Sequence, residues 1–383
     1  MSGALALGVV GCGETKQNNP FVTLPPNAVS GTGGQAEAAA GALGTGGSGP
    51  GSATAGASGS TPIEPSAPIE LPTAIDTPLT EIAKSSGCGK PYAGQAGAKV
   101  TIQTAGMKAA DCADHDANGA PVCGAWATAR EYYVNVPLNY DPNEAYPLIF
   151  ESPGCGSNGT DIYPLPANSD TVIRIGLTPG PNSTGHGTHP EESCFDDKEG
   201  DDSIDWVFYE SVYDRLNAEL CFDRNRVFSG GKSSGAWFAN ELGCKYAGDT
   251  IRPVRAVLPN MGGLPTDPRF VPTCSQAPLA GIWSHELTSQ TIPFSDAQVA
   301  IERAMSVAHC EGGHSYDGAT FQSFPIGGNN VDDTCKRIVG CDPLYPLVVC
   351  AVPGNGRGVG DNIVVPAWST FIKLFVAPPL LTP

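Results

Sequence analysis

The chain has 383 residues, of which 39 are acidic and 21 are basic, and its formal net charge is −18. This charge argues against a nucleic-acid partner and against electrostatic adhesion to anionic lipid. An acidic balance is also common in exported proteins, so it does not by itself name a partner.

The first twelve residues have the order of a bacterial lipoprotein signal. A short apolar run from Ala4 to Gly11 is followed by Cys12, and the run is too short to span a bilayer. No Lys or Arg precedes the run, which departs from the usual charged start of such signals. We predict export, lipidation of Cys12 after cleavage, and an extracytoplasmic location. The lipid would then be the only membrane contact.

Residues 13–85 predict a disordered tether. Gly, Ala, Ser, Thr and Pro dominate this segment, and Phe21 is its only aromatic residue. Such a composition cannot bury enough apolar surface to offset the entropy lost on ordering. Treated as a coil, the tether reaches roughly 45–50 Å.

Residues 86–383 predict one α/β domain. Tyr132–Val136 alternates like an antiparallel edge strand, whereas four short apolar runs are typical of buried parallel strands: Tyr146–Phe150, Val254–Leu258, Pro278–Trp283 and Tyr345–Val352. Helical patterns lie at residues 204–220, 297–308 and 368–375. Strands alternating with helices favour a mostly parallel sheet covered on both faces.

Twelve cysteines remain when Cys12 is set aside, which suggests up to six disulfides in an exported domain. Cys335–Cys341 is a plausible local bridge and Cys155–Cys194 a plausible long one, and the other pairings stay open. No C-x-x-C pair or Cys/His ladder indicates zinc. The acidic run Glu191–Asp205 could hold a cation together with His186 and His189. It matches no calcium-loop spacing, so we predict a solvated loop and no metal site.

The most informative motif is Gly231-Lys232-Ser233-Ser234-Gly235, a G-x-S-x-G run. A strand-like segment, Arg226–Ser229, precedes it and a helix-like segment, Trp237–Tyr246, follows it. That context predicts a nucleophile elbow, a sharp turn from strand to helix that exposes a serine hydroxyl. The flanking glycines fit because a side chain on either side of the serine would collide with neighbouring backbone.

Four stretches together resemble the α/β-hydrolase superfamily, and within it the secreted polyhydroxybutyrate depolymerase-like and feruloyl esterase-like group. They are Tyr146–Ser157, Cys221–Phe228, Gly231–Trp237 and Gly281–Pro293. The resemblance covers most of residues 130–375 and implies an α/β-hydrolase fold and activity on carboxylic esters. The substrate would be an ester derived from a polymer. The resemblance implies no cofactor.

The resemblance also implies roles for single residues. Ser233 takes the nucleophile position, and the backbone N–H of Ser234 is one oxyanion donor. A second donor comes from the glycine-rich loop at Cys155. The family usually has His-Gly at this loop, whereas this chain has Pro153-Gly154.

The acid and base positions depart from the family pattern. Ser289 stands where the family carries the Asp of a His-Gly-x-x-Asp run, and Arg357 stands where it carries the catalytic histidine. Arg stays protonated and has no acceptor, so it cannot take the proton of a serine hydroxyl. His285 is a candidate rescue base with Glu286 as a candidate acid, and His314 is a second candidate base.

Two functions follow from this pattern. The first is an exported serine esterase that acts through Ser233 with a base that the family pattern does not identify. The second is a catalytically impaired hydrolase-fold domain, tethered to the cell surface as a binding module.

Overall fold

The computed structural model describes residues 82–103, 129–163, 171–180, 193–195, 204–265, 273–311, 314–324, 326, 334–354 and 358–375. All of these residues belong to one compact unit, residues 72–383. Cys12 and nearly all of the predicted tether therefore lie outside the described residues.

The described residues form one sheet of ten strands. They are β1 (Ala98–Gln103), β2 (Ala129–Asn135), β3 (Tyr146–Ser152), β4 (Ile173–Leu177), β5 (Phe222–Lys232), β6 (Ala256–Asn260), β7 (Ala280–Glu286), β8 (Phe321–Ser323), β9 (Cys335–Ile338) and β10 (Leu347–Val352). The strand order is β1-β2-β4-β3-β5-β6-β7-β10-β9-β8. The six strands from β4 to β10 in this order are parallel, and antiparallel strands extend the sheet at both edges.

In the described part of the chain, four helices cover the sheet: α1 (Ile204–Glu219), α2 (Ser234–Tyr246), α3 (Phe294–Val307) and α4 (Asp361–Leu374). A Cβ at Gly231 would collide with α2, whereas a Cβ at Gly230 would touch the Trp368 ring of α4 at 2.8 Å. Successive residues of a strand point to opposite faces, so α2 and α4 lie on opposite sides of the sheet. The predicted mostly parallel sheet with helices on both faces is confirmed.

On one face of the sheet, α1 and α2 pack against each other through aromatic rings. The Tyr209 ring lies 5.0 Å from that of Phe150 and 4.9 Å from that of Tyr246, and all three side chains are buried. Burial of aromatic side chains of this size is a main contribution to the stability of such a core. None of the described helices has the length and apolar character needed to cross a bilayer.

The residues just before 86 contact the sheet. Ala83 N–H donates to Asp223 Oδ1 at 3.1 Å, and Ser85 N–H donates to the Phe222 carbonyl at 2.9 Å. Cys88 then forms a disulfide with Cys221, at the start of β5. The segment just before the expected boundary is therefore fastened to the sheet.

Two details of the predicted sheet were wrong. The strand at Tyr132–Val136 is not an edge, because β2 pairs antiparallel with both β1 and β4. The sequence pattern also missed β1, β4, β8 and β9. In β4, Arg174 and Gly176 interrupt the apolar run, and Arg174 is accommodated through a carboxylate on the neighbouring strand β3 and the Tyr163 carbonyl.

Five disulfides join described cysteines: Cys88–Cys221, Cys155–Cys194, Cys244–Cys274, Cys310–Cys341 and Cys335–Cys350. The predicted Cys155–Cys194 bridge is confirmed. The predicted Cys335–Cys341 bridge is wrong, because β9 and β10 pair antiparallel in a register that puts Cys335 opposite Cys350. Five bridges in one domain are typical of an oxidising compartment.

Candidate functional site

Ser233 lies between the last residue of β5 and the first residue of α2, at the carboxyl edge of the parallel strands. Its backbone has φ 55° and ψ −124°, an uncommon conformation for a residue other than glycine. Backbone bonds hold it there: its N–H donates to the Asn260 carbonyl at 3.1 Å, and its carbonyl accepts from Ala236 N–H at 2.8 Å. Its partly exposed Oγ has no hydrogen-bond partner among the described residues.

Crowded backbone explains the two glycines of the motif. A Cβ at Gly235 would collide with the Ser152 carbonyl at the end of β3, and a Cβ at Gly231 would collide with the carbonyls of Gly235 and Ser152. Glycine is therefore required on both sides of Ser233 for a spatial reason, since neither residue has a positive φ. The strand, turn and helix meet as closely as the motif suggested.

The loop after β3 lies directly against this turn. A Cβ at Gly154 would stand 3.3 Å from Ser233 Cβ and 3.9 Å from its Oγ. The next residue, Cys155, is bonded to Cys194, and Gly156 N–H donates to the Ser193 carbonyl at 2.8 Å. This anchor holds the loop beside Ser233. The structure thus brings together Ser233, Ser234 at the start of α2, and the loop that carries Cys155.

Ser234 is the first residue of α2, and the first N–H groups of a helix have no intrahelical partner. Its side-chain Oγ is buried without a hydrogen-bond partner among the described residues. The backbone N–H of Ser234 is therefore available to an oxyanion. The positive end of the helix dipole favours negative charge at the same place.

Ser289 lies in the turn after β7, at the acid position. Its Oγ accepts a hydrogen bond from Ile292 N–H at 3.3 Å, so the side chain caps the local turn. A Cβ at Gly354, in the loop after β10, would collide with Thr288. The loops that follow β7 and β10 are therefore in contact, although Ser289 itself is occupied with backbone.

Arg357, at the histidine position, lies outside the described residues. The residues that follow it are placed beside the elbow. Gly358, with φ 79°, has Met261 as its near neighbour, and the Val359 carbonyl accepts from Asn260 Nδ2 at 3.2 Å. Asn260 in turn holds the Ser233 N–H, so this loop returns to the site before α4 begins.

His285 lies at the carboxyl end of β7 and is 1% exposed. Its Nδ1 lies 2.8 Å from the Glu286 carbonyl, which can only accept, so the neutral ring carries its proton on Nδ1. Its Nε2 is buried without a hydrogen-bond partner in the described part of the chain, and the ring packs edge-on against Phe294 of α3. Burial lowers the pKa of His285 below its usual value. This environment favours a neutral imidazole.

The other described histidines are on the surface side of the fold. His309, with φ 52°, and His314 are both exposed. His186 and His189 lie outside the described residues, as does most of the acidic run beside them. Among the described residues no group of three or more His, Cys, Asp or Glu side chains could hold a metal ion.

No family model matches the chain. Its sequence is 25% identical over 214 residues to the probable feruloyl esterase C of Aspergillus niger, covering 51% of this chain and 72% of that protein. A solved thermostable esterase is similar with a TM-score of 0.34 and 18% identity, over 52% of this chain and 51% of that one. The acetyl xylan esterase of Aspergillus awamori is similar with a TM-score of 0.41 and 12% identity, over 62% of this chain and 94% of that one. The chain spans about half the length of the thermostable esterase.

A serine on a tight turn between a parallel strand and a helix, facing the loop after the third strand, is the arrangement of an α/β-hydrolase. The chain has the α/β-hydrolase fold. Its sequence similarity to a feruloyl esterase agrees with the resemblance drawn from the four motif stretches.

The fold also places a buried polar cluster beside the elbow that the sequence did not reveal. Glu151 of β3 accepts from Arg174 Nε at 2.6 Å and from Tyr163 N–H at 3.1 Å. Tyr163 Oη accepts from Asn260 Nδ2. Burial raises the pKa of the Glu151 carboxyl, and Arg174 partly offsets this. A charged residue inside the apolar run Tyr146–Ser152 was the available signal.

Proposed function

We propose that this chain is an exported serine esterase that hydrolyses carboxylic esters of polymers, with Ser233 as its nucleophile. One observation carries the proposal: Ser233 is held in a strained conformation beside the Gly154 loop, and its hydroxyl has no hydrogen-bond partner among the described residues. Strained residues cluster at active sites because the surrounding structure must maintain them. The similarity to a feruloyl esterase supports the ester as substrate class.

In this mechanism Ser233 Oγ attacks the ester carbonyl and the carbonyl oxygen becomes an oxyanion. The Ser234 N–H and an N–H of the Cys155 loop donate to it, and each preorganised donor is worth about 10²–10³ in turnover. Collapse of the intermediate expels the alcohol and leaves an acyl-serine, which water then hydrolyses. Ser233 Oγ must also lose its proton to a neutral base, and the described residues place none on it.

That gap supports a second candidate function, a catalytically impaired domain that binds its ligand without turnover. Ser289 Oγ is engaged by Ile292 N–H and has no charge with which to steady an imidazolium. Arg357 cannot act as a base. Loss of a triad histidine alone can cost around 10⁶ in turnover, while the oxyanion hole retains about 10³–10⁴ over water.

Hydrolysis of p-nitrophenyl acetate and butyrate, measured beside Ser233→Ala, separates the two functions. The esterase proposal expects turnover that disappears in Ser233→Ala and persists in Ser86→Ala. Ser86 is a suitable control because it is exposed and donates only to the Asn217 carbonyl. Equal background rates in all three proteins would reject the esterase and favour the binding domain.

Export and lipid anchoring at Cys12 belong to the same proposal. Five disulfides in the domain support an oxidising compartment. Cell fractionation of the full chain and of Cys12→Ala tests the anchor. We expect the wild-type protein in the membrane fraction and the variant in the soluble extracytoplasmic fraction. Equal distribution of the two proteins would contradict a lipid at Cys12.

A further inference from the structure

Besides the small cleft of about 120 Å³ beside Ser233, which belongs to the candidate site, the fold forms a larger cleft at the edge of the sheet. Its volume is about 460 Å³, within the range of about 300–1,000 Å³ of sites for drug-sized ligands. β1 and β2 form one wall, the end of α1 a second, and residues 90–94 a third. In the strand order β4 and β3 separate β2 from β5, so β2 lies about 14 Å from the strand that leads to Ser233.

The wall formed by β1 and β2 is mainly apolar. In the antiparallel register Ala98 is opposite Val134 and Val100 is opposite Tyr132, and all four residues line the cleft. Alternate residues of a strand share one face, so these four side chains form a continuous patch. Ala218 adds a methyl group from α1. Such a surface favours an aliphatic body on a ligand.

Tyr132 gives this wall one polar group. The residue is 1% exposed, yet its hydroxyl makes no hydrogen bond with a described residue and is not completely enclosed. Burial raises the pKa of Tyr132, the nearby Arg215 opposes this, and Glu219 and Tyr92 add to it. The hydroxyl therefore stays protonated and lies among these three groups, which line the same cleft. A buried hydroxyl usually has a partner, so this one is available to donate to a ligand.

The charged groups of the cleft offer more donors than acceptors. Lys90 Nζ donates to the Ala218 carbonyl at 3.1 Å, which leaves two of its three N–H groups. Arg215 donates through Nε to Glu219 Oε1 at 3.0 Å, and its Nη groups have no partner in the described part of the chain. Two cations and one carboxylate leave a local charge of +1 in the cleft, although the whole chain has a net charge of −18.

We propose that this cleft binds an aliphatic monocarboxylate, with its chain against the β1–β2 wall and its carboxylate on Arg215 and Tyr132. A guanidinium that holds one carboxylate through Nε can hold a second through its Nη groups, and these charge-assisted bonds are the strong ones. The Tyr132 hydroxyl donates a further bond to the same carboxylate. Binding at this place requires no hydrolysis at Ser233.

Other ligands match the cleft less well. A cation would meet Lys90 and Arg215, and repulsion between like charges opposes it. An uncharged alcohol or alkane would cover the Arg215 Nη groups without supplying a carboxylate, and covering a charged donor without an acceptor is costly. A ligand with several negative charges would meet Glu219 and the net negative charge of the chain. A single carboxylate on an apolar chain avoids all three penalties.

Calorimetric titration of the full chain with sodium octanoate tests the site. We expect the dissociation constant to rise about tenfold or more in Arg215→Met, which loses a charged hydrogen bond, and about threefold to tenfold in Tyr132→Phe, which keeps the ring. Lys373→Met and Tyr316→Phe are the matched controls, because both residues lie outside the cleft. Their dissociation constants should stay within twofold of the wild type. Thermal melts check that every variant is folded.

Ala218→Trp tests the same cleft without removing a polar side chain. Ala218 is exposed near the end of α1, so a larger side chain there fills the cleft and leaves the buried core unchanged. We expect Ala218→Trp to abolish octanoate binding and Ala218→Ser to keep it within twofold. This pair decides the question even if Arg215→Met or Tyr132→Phe fails to fold.

Three results would overturn the site. Octanol or octylammonium that binds as tightly as octanoate would show that Arg215 and Tyr132 do not select a carboxylate. Absence of octanoate binding, or binding that Ala218→Trp leaves unchanged, would reject this cleft. Ser233→Ala protein should bind octanoate within twofold of the wild type, and loss of binding there would place octanoate at the elbow instead. None of these titrations needs turnover, so they remain decisive if the esterase proposal fails.

Discussion

The two sides of Ser233 differ in how the fold holds them. On the side of β3 and β5, backbone contacts, a disulfide and two closely packed glycines hold the proposed nucleophile Ser233 and the proposed oxyanion loop together. On the side of β7 and β10, the acid and base positions depend on single side chains in loops, and Ser289 is used there as a turn cap. A hydrolase can therefore keep its elbow while its proton-transfer groups change, since replacing a loop side chain leaves the sheet intact.

The first prediction concerns a substitution that disrupts the side of Ser233 formed by β3 and β5. Gly235→Ala would put a Cβ onto the Ser152 and Pro153 carbonyls, which are backbone and cannot move away cheaply. We expect a loss of about 3 kcal/mol or more in the free energy of unfolding, together with loss of all Ser233-dependent hydrolysis. Urea unfolding and p-nitrophenyl acetate hydrolysis measure the two effects.

Gly318→Ala is the control for this change. Gly318 lies in the short 3₁₀ helix Tyr316–Gly318, and a Cβ there would meet nothing within 4 Å. Its stability should stay within about 0.5 kcal/mol of the wild type. A Gly235→Ala protein as stable and active as Gly318→Ala would show that the elbow is not so crowded.

The second prediction concerns substitutions that restore the acid and base positions on the side of β7 and β10. Combining Ser289→Asp with Arg357→His supplies the family's acid and base on the same backbone. An Asp carboxylate can accept the Ile292 N–H bond that Ser289 Oγ accepts now, so the turn should survive. Under the second candidate function, which lacks a base, we expect p-nitrophenyl acetate turnover to rise about 100-fold or more, because the base is the larger part of triad catalysis.

The single variant Ser289→Asp is the control for the double variant. Ser289→Asp alone should change turnover little, because a carboxylate without an imidazole has nothing to orient. A wild-type rate that the double variant lowers would show that this chain already uses a base of its own. The alignment of Arg357 with the histidine position would then be wrong.

Local sequence patterns predicted the side of β3 and β5 well. The elbow follows from five consecutive residues between a strand and a helix, and the parallel strands follow from apolar runs. β4 could not be predicted in this way, because Arg174 is stabilised by Glu151 on another strand. The cleft beside Ser233 was missed for the same reason, because its lining residues come from β3, β5 and α4 and lie together only after these elements pack.

The third prediction asks whether the disulfide at the oxyanion loop has a catalytic effect. Cys155→Ser with Cys194→Ser opens a loop of sequence separation 39, and Cys310→Ser with Cys341→Ser opens one of separation 31. The chain-entropy model gives about 4 kcal/mol of stabilisation for either loop. At a temperature where both variants are folded, only the first should lose kcat/KM, by about tenfold, because its loop carries the proposed oxyanion donor.

Thermal melts and p-nitrophenyl acetate kinetics of the two double variants measure this difference. Equal losses of kcat/KM would mean that Cys155–Cys194 contributes stability alone. A loss confined to the Cys310–Cys341 variant would contradict the placement of the oxyanion loop at Cys155.

The last prediction concerns the pH dependence of stability that His285, at the end of β7, causes. Burial lowers the pKa of folded His285, so below about pH 6.5 the unfolded chain takes up a proton that the folded chain does not. The contribution of His285 to the free energy of unfolding is then fully present above pH 6.5. It falls as the pH drops toward the lowered pKa, by at most about 1.4 kcal/mol per pH unit. His285→Asn keeps a donor for the Glu286 carbonyl but cannot titrate. Urea unfolding at pH 7.5, 6.5 and 5.5 should therefore show a smaller loss of unfolding free energy in the variant than in the wild type.

The same variant tests whether His285 takes part in hydrolysis. Because the His285 ring packs on Phe294, we expect hydrolysis by His285→Asn to fall less than tenfold. A variant as inactive as Ser233→Ala and still folded would instead identify His285 as the base that Ser233 needs.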